Sequence, residues 1–366
     1  MLKRVACAPD NCVNCPPSHR LDTGMTRSNL IVSFLILVSV SISAPIAAAD
    51  HPLSGIPLRS IGPALTSGRV SDFAFVPGQP ENFYVSMASG GVWKTVNNGI
   101  TWKPVFDNEG SFAIGVVELD PSNPNIVWVG TGENNSQRSV AYGDGVYRSL
   151  DGGNSWKNMG LKDSGHISMI RFHPQDSNTV YVAAQGPLWN SGGDRGLYRS
   201  TNGGEDWTRI LEIDENTGVN EFVMDPANPD TIVASTYQRR RHVWTLINGG
   251  PGGGIHKSTN GGDTWRKIAG GLPSGDLGRI GLASAPSAPN VIYAIVEADE
   301  KGRGVYRSTD FGESWEKRSD HVAGSPQYYH ELYVDPHNPD RVYSVETFTN
   351  VSEEGGKTWS RISFQN

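Results

Sequence analysis

A twelve-residue phrase recurs along this chain. GVWKTVNNGITW ends at Trp102, GVYRSLDGGNSW at Trp156, GLYRSTNGGEDW at Trp207, GIHKSTNGGDTW at Trp265 and GVYRSTDFGESW at Trp315. A shorter copy, VSEEGGKTW, ends at Trp359. The tryptophans are 54, 51, 58, 50 and 44 residues apart. A period near fifty residues means one supersecondary unit laid down six times. Each unit needs its neighbours to bury its apolar face.

Every unit carries a second mark upstream of the phrase. Asp120-Pro121-Ser122-Asn123-Pro124 precedes IVWVGTG, Asp225-Pro226-Ala227-Asn228-Pro229 precedes TIVAST, and Asp335-Pro336-His337-Asn338-Pro339 precedes RVYSVE. Looser copies start at Val76, His173 and Ala285. Proline cannot donate to a ladder, so these turns end one apolar run and begin the next. The unit then reads as four strands: a run such as IGVVELD, a second such as NTVYVAA, the short GVYRS, and a fourth from the tryptophan on. Four-stranded units repeated in series form an all-β propeller. Six blades are expected, near residues 64–106, 112–160, 166–211, 219–269, 278–318 and 329–363, within a domain over 50–366. The run GIPLRSIG (55–62) reads as a lone strand ahead of blade one, while all six blades already have a fourth strand. That predicts a seven-bladed or larger propeller, with a further blade after Asn366 and this chain an N-terminal portion. A six-bladed ring with an added outer strand is the alternative.

Composition agrees with this architecture. There are 43 Gly and 23 Pro in 366 residues and only 19% charged residues, which suits short strands and tight turns and excludes a helical bundle or coiled coil. Net charge is -7; the first 49 residues hold four basic and two acidic side chains, so the remainder is more acidic still. Such a domain is a poor partner for a phosphate backbone, and no nucleic-acid ligand is expected. Residues 29–49 are apolar and uncharged, follow Arg27 and end in Ala47-Ala48-Ala49. They read as a secretory signal peptide over 25–49 with translation from Met25, and residues 1–24 as a non-native upstream extension. An uncleaved anchor is the competing reading. Cleavage predicts a secreted or periplasmic protein with no membrane insertion. Cys7, Cys12 and Cys15 all precede that segment and lack a fourth ligand. No metal and no cofactor is expected.

The phrase contains Ser/Thr-x-Asp-x-Gly-x-x-Trp, the Asp-box or BNR repeat. It stands as Ser149-Asp151-Gly153-Trp156 and Ser308-Asp310-Gly312-Trp315. Asn97, Asn202 and Asn260 replace the acid in the copies ending at Trp102, Trp207 and Trp265, and Glu354 in the copy ending at Trp359. With LRSIGPALTSGRV (58–70) and VGTGENNSQRSVAYGDGVYRS (129–149), the chain resembles the secreted, sortilin-like Asp-box propellers of bacteria, of the "glycosyl hydrolase, BNR repeat" type. The likeness covers about 55–366. It implies that the boxes are structural, on the hairpin between strands three and four, and that ligands meet the opposite face.

On that face, blades two to four carry long loops between strands two and three: 131–144, 185–195 and 237–253. They would present Glu133, Asn134, Arg138, Trp189, Arg195, Arg239, Arg240, Arg241 and Trp244, and the segment entering blade six adds Tyr328, Tyr329 and Glu331. Aromatics with carboxylates and arginines suit a protein or carbohydrate ligand. Glycoside hydrolysis needs two carboxylates about 5–10 Å apart, for which Glu133, Asp144 and Glu331 are the candidates. The resemblance places a xyloglucanase-type catalytic Asp where this chain has Ala88, within MASGG (87–91), and Arg59-Ser60-Ile61-Gly62-Pro63 departs from the sialidase phrase. The expectation is therefore an exported binding scaffold. A glycoside hydrolase acting on polysaccharide is the alternative, and an assembly factor for a membrane complex is a third reading. Gly355-Gly356-Lys357-Thr358 lacks the first glycine of a phosphate loop, and neither a G-x-S-x-G elbow nor an H-E-x-x-H pair occurs.

Overall fold

Apolar runs separated by Pro-rich and Gly-rich turns become six antiparallel sheets, spanning 70–104, 114–158, 167–211, 217–268, 280–319 and 331–361. The computed structural model describes residues 68–363. The segments expected to be a signal peptide and a lone strand at 55–62, and the cysteines, lie outside them. We number the sheets blades one to six. Each is a four-stranded meander in chain order. Blade four adds a strand, because the long run Ile232–His242 folds back on Thr245–Asn248. The 237–253 segment is thus a projecting hairpin where sequence suggested irregular loop.

The innermost strands are Val70–Val76, Ile114–Asp120, Ile167–His173, Thr217–Met224, Ile280–Ala285 and Glu331–Val334, and each packs beside the next from blade one to blade six. Sheet-on-sheet burial supplies the core. Trp128 and Tyr198 pack with Ile170 and Phe172 between blades two and three, and Leu282, Ile292 and Tyr306 with Val233 and Ile255 between blades four and five.

The boxes pin the outer hairpins. Ser149 Oγ accepts from Gly153 N at 2.8 Å and donates to Asp151 Oδ1 at 2.8 Å, while Asp151 Oδ1 accepts from the Asn154 and Ser155 amides at 3.0 and 2.9 Å. The Ser155 hydroxyl, donating to Asp151 Oδ2 at 2.6 Å, together with these bonds lowers the Asp151 carboxyl to about 2. Asn97, Asn202 and Asn260 keep the amide bond through Oδ1, and Asp310 repeats the acid version. Glu354, one methylene longer, reaches only the Thr358 hydroxyl. The box tryptophan turns toward the preceding blade. Trp156 Nε1 donates to Val105 O at 2.6 Å and Trp207 Nε1 to Met159 O at 2.8 Å. Trp265, Trp315 and Trp359 pack into the equivalent seams. Ser149→Ala removes an acceptor of a buried turn amide and should cost about 1–2 kcal/mol. Thermal unfolding of the variant against the wild type checks this.

Candidate functional site

Side chains alternate along a strand, so residues five and three positions before each turn proline share a face. Asp72, Glu221 and Glu331 occupy the first position in blades one, four and six. Glu118, Arg171 and Tyr333 occupy the second in blades two, three and six. All but Glu118, which is held by Arg171, line a central channel of about 380 Å³ formed by innermost strands of all six blades.

The channel is a charged cluster. Asp72 accepts from Phe73 N at 2.8 Å and Val117 N at 3.2 Å, yet burial pushes its carboxyl up to about 7, with Arg171 opposing. Arg171 Nη1 lies 2.8 Å from Glu118, whose carboxyl burial also raises. Glu221 accepts from Leu282 N at 2.6 Å, but burial, helped by the charge of Glu331, pushes it up to about 8. Glu331 accepts from Arg279 Nη2 and from the Tyr333 hydroxyl, each at 3.2 Å.

At its mouth the channel shares Asn134, Glu331 and Tyr333 with a groove of about 540 Å³ between blades one and six. Five residues singled out from sequence meet there: Glu133, Asn134, Tyr328, Tyr329 and Glu331. Glu133 pairs with Arg69 and accepts from Asn135 Nδ2 at 2.6 Å. The Arg69 guanidinium lies 4.5 Å from the Tyr328 ring, whose centroid is 4.3 Å from that of Tyr329. Ala88 is in the groove wall.

Three arginines expected on the surface are buried, which corrects that expectation. Arg195, Arg239 and Arg241 point inward because each guanidinium is taken by loop carbonyls. Arg239 donates to Asn135 O at 2.7 Å and Gly186 O at 3.2 Å, Arg195 to Gln185 O at 2.7 Å and Asn190 O at 2.8 Å, and Arg241 to Ser136 O at 2.5 Å. Burial, with like charges nearby, pulls Arg239 down to about 9. These residues hold the loops that carry the groove. Arg240, on the opposite strand face, donates to Asn216 Oδ1 at 3.1 Å. Asp144 accepts from the Tyr147 hydroxyl at 2.6 Å and lies outside the groove lining. Arg138 is exposed, Trp189 half-buried, and Trp244 sits at the hairpin tip, 80% exposed and stacked on His242 at 5.3 Å.

Sequence reasoning missed Arg69, Asp72, Glu118, Arg171, Glu221, Arg279 and Tyr333. A signal existed for the strand residues: a charge or phenol at a fixed distance before the turn proline, inside an apolar run. Among the described residues, no group of three His, Cys, Asp or Glu side chains is placed to hold a metal ion. No helix there is long and apolar enough to cross a membrane.

The sortilin-Vps10 family model (sortilin, neurotensin receptor 3) matches residues 144–303, and the BNR/Asp-box repeat model matches 306–317. Those matches cover under half of the chain. With six boxes on six four-stranded blades, they make it similar to the Asp-box (BNR-repeat) propellers. This sortilin-like, glycosyl-hydrolase-like propeller is 26% identical over 246 residues to the xyloglucanase Xgh74A of Acetivibrio thermocellus, covering 58% of this chain and 26% of that protein. The GH74 enzyme of Niastella koreensis superposes with TM-score 0.59 at 19% identity, over 79% of this chain and 46% of that one. YCF48 from Cyanidioschyzon merolae gives TM-score 0.50 at 17% identity, over 82% and 86%. The Asp-box propeller thus spans about a quarter of its curated relative and under half of the GH74 chain.

Proposed function

We propose that this propeller is an exported, secreted or periplasmic scaffold that binds a polysaccharide segment on its loop-rich face, with the mouth groove as the primary site. One observation carries the reading. The groove joins three tyrosines and the rings of Phe73 and Phe75 to two asparagines, Arg69 and three carboxylates (Asp72, Glu133 and Glu331), while position 88 of its wall offers only a methyl group. Tyrosine rings give sugar faces an apolar platform, and Glu331, Glu133 and Asn134 give hydroxyls their partners. The similarity to xyloglucanases supports carbohydrate as the ligand class. With Ala88 in place of a carboxylate, ligand is held and not cleaved.

Titration of the full chain with a xyloglucan oligosaccharide tests this. Binding is expected, weakened at least tenfold in Tyr328→Ala, about 1.4 kcal/mol, with no new reducing ends. Absence of binding at millimolar oligosaccharide would remove the glycan reading.

Hydrolysis is the second reading. Its support is the pairing of Glu221, held protonated up to about pH 8, with Glu331, which receives two hydrogen bonds. Carboxyls in such contrasting settings can serve as general acid and charge stabiliser. Release of reducing ends that disappears in both Glu221→Gln and Glu331→Gln would favour it.

A further inference from the structure

The extra hairpin of blade four breaks the usual chemistry of its turn. His242 pairs with Thr245, so Val243 and Trp244 are the two loop residues between the strands Ile232–His242 and Thr245–Asn248. Two-residue hairpin loops favour Asn, Asp and Gly, which accept positive φ and face water. Here a β-branched residue and an indole take those places, and neither has a positive φ. They are 79% and 80% exposed, so they add little to the core. Two apolar side chains held in water against the preference of the turn are expected where function, not folding, chose the residues.

The indole is also set in direction. The His242 ring lies nearly parallel to it, with centroids 5.3 Å apart and 11° between the planes. A ring already held in place loses less freedom when a ligand lands on it. A side chain that sinks into a lipid layer has no need of such a support. The hairpin is braced beside the groove. Ser136 follows Asn135 of the groove lining, and its amide donates to Gln327 O at 2.9 Å, next to Tyr328. The Ser136 carbonyl accepts from Arg241 Nε at 2.5 Å, and Arg241 N donates to Leu188 O at 2.8 Å on the blade-three loop. Trp244 stands three residues past Arg241, about 10 Å of extended chain. Thr245 and Arg138 are exposed and can meet hydroxyls.

We propose that Trp244, backed by His242, is an outer glycan subsite. It stacks on an uncharged pyranose ring of the same polysaccharide strand that the mouth groove holds, so that long strands are selected over short ones. The outer subsite presupposes glycan in the groove. The C–H face of a pyranose is flat and apolar, as the indole is, while its hydroxyls point outward to polar neighbours. Two contacts on one strand make the second intramolecular, which raises affinity only for ligands long enough to reach both.

Titration of the full chain with a one-repeat and a two-repeat xyloglucan oligosaccharide tests this. The two-repeat ligand should bind at least fivefold tighter. Trp244→Ala should cut that advantage to under twofold while changing one-repeat binding by less than twofold. Trp244→Tyr, which keeps a ring, should retain most of the advantage, and Tyr328→Ala should weaken both ligands. Because the side chain is exposed, Trp244→Ala should leave Tm within 2 °C of the wild type. A length advantage that survives Trp244→Ala, or no advantage at all, would overturn the outer subsite and leave the groove reading standing. Binding of neither ligand would remove both. Hydroxyl-radical footprinting gives a second measurement: the two-repeat ligand should slow oxidation of Trp244 at least threefold and the one-repeat ligand should not. Protection by phosphatidylglycerol vesicles, with none from either oligosaccharide, would assign the hairpin tip to a lipid surface and equally overturn the proposal.

Discussion

Arg239→Met is expected to lower stability by about 3 kcal/mol and to weaken ligand binding with it. Arg239 is fully buried. It ties blade four to the loops of blades two and three through Asn135 O, Ser136 Oγ and Gly186 O. Methionine fills much of the volume but leaves two buried carbonyls unpaired, each worth about 1–3 kcal/mol. Asn135 neighbours Asn134 and donates to Glu133, so a relaxed loop would also shift the groove. Arg239→Lys keeps the charge but lacks the planar fork, and should recover less than half the loss. Thermal and urea unfolding read the stability and oligosaccharide titration reads the groove. A loss under 1 kcal/mol would mean the guanidinium does not hold the loops.

Alkaline pH is expected to destabilise the ring through its channel. The Glu221 carboxyl is raised from 4.5 to about 8 and that of Asp72 from 3.8 to about 7, both chiefly by burial. The folded state therefore binds more protons than the unfolded chain between those limits. The stability these protons supply is fully present near pH 4 and is lost as pH rises through 7 to 8. Buried His256 and His330, lowered to about 4 and about 3 chiefly by burial, act the opposite way: their contribution is present above pH 6.5 and lost on acidification. The two sets offset below pH 6.5, and the carboxyls alone act above it. Between pH 6.5 and 9 a fall of roughly 2–4 kcal/mol is expected. Glu221→Gln, which cannot ionise, should remove most of it. Unfolding curves at several pH values decide this, and a wild-type profile flat to pH 9 would contradict the buried-carboxyl account.

Local chemistry was legible in the sequence and ring chemistry was not. The box turns follow from residues two to five apart, so Ser149, Asp151 and Gly153 declare their geometry without a neighbour. The turn prolines did the same for the meanders. Charges in the channel were hidden because an Asp or Glu in a strand reads as solvent-facing until the ring shows which face points inward. The run Arg239-Arg240-Arg241 reads as a solvated patch. In a strand its members alternate, and the two on one face are drawn in by carbonyls of blades two and three, more than fifty residues away in sequence. Glu133, Asn134, Tyr328, Tyr329 and Glu331 were individually visible; that blades one and six bring them to one groove was not.

Footprinting of the full chain with and without a xyloglucan oligosaccharide tests the central claim most directly. Glycan held at the mouth groove predicts slower oxidation of Tyr328, Tyr329 and Tyr333, with Tyr142 and the outer-rim tryptophans Trp156 and Trp207 unchanged. Protection confined to the outer rim, or none at saturating ligand, would contradict it.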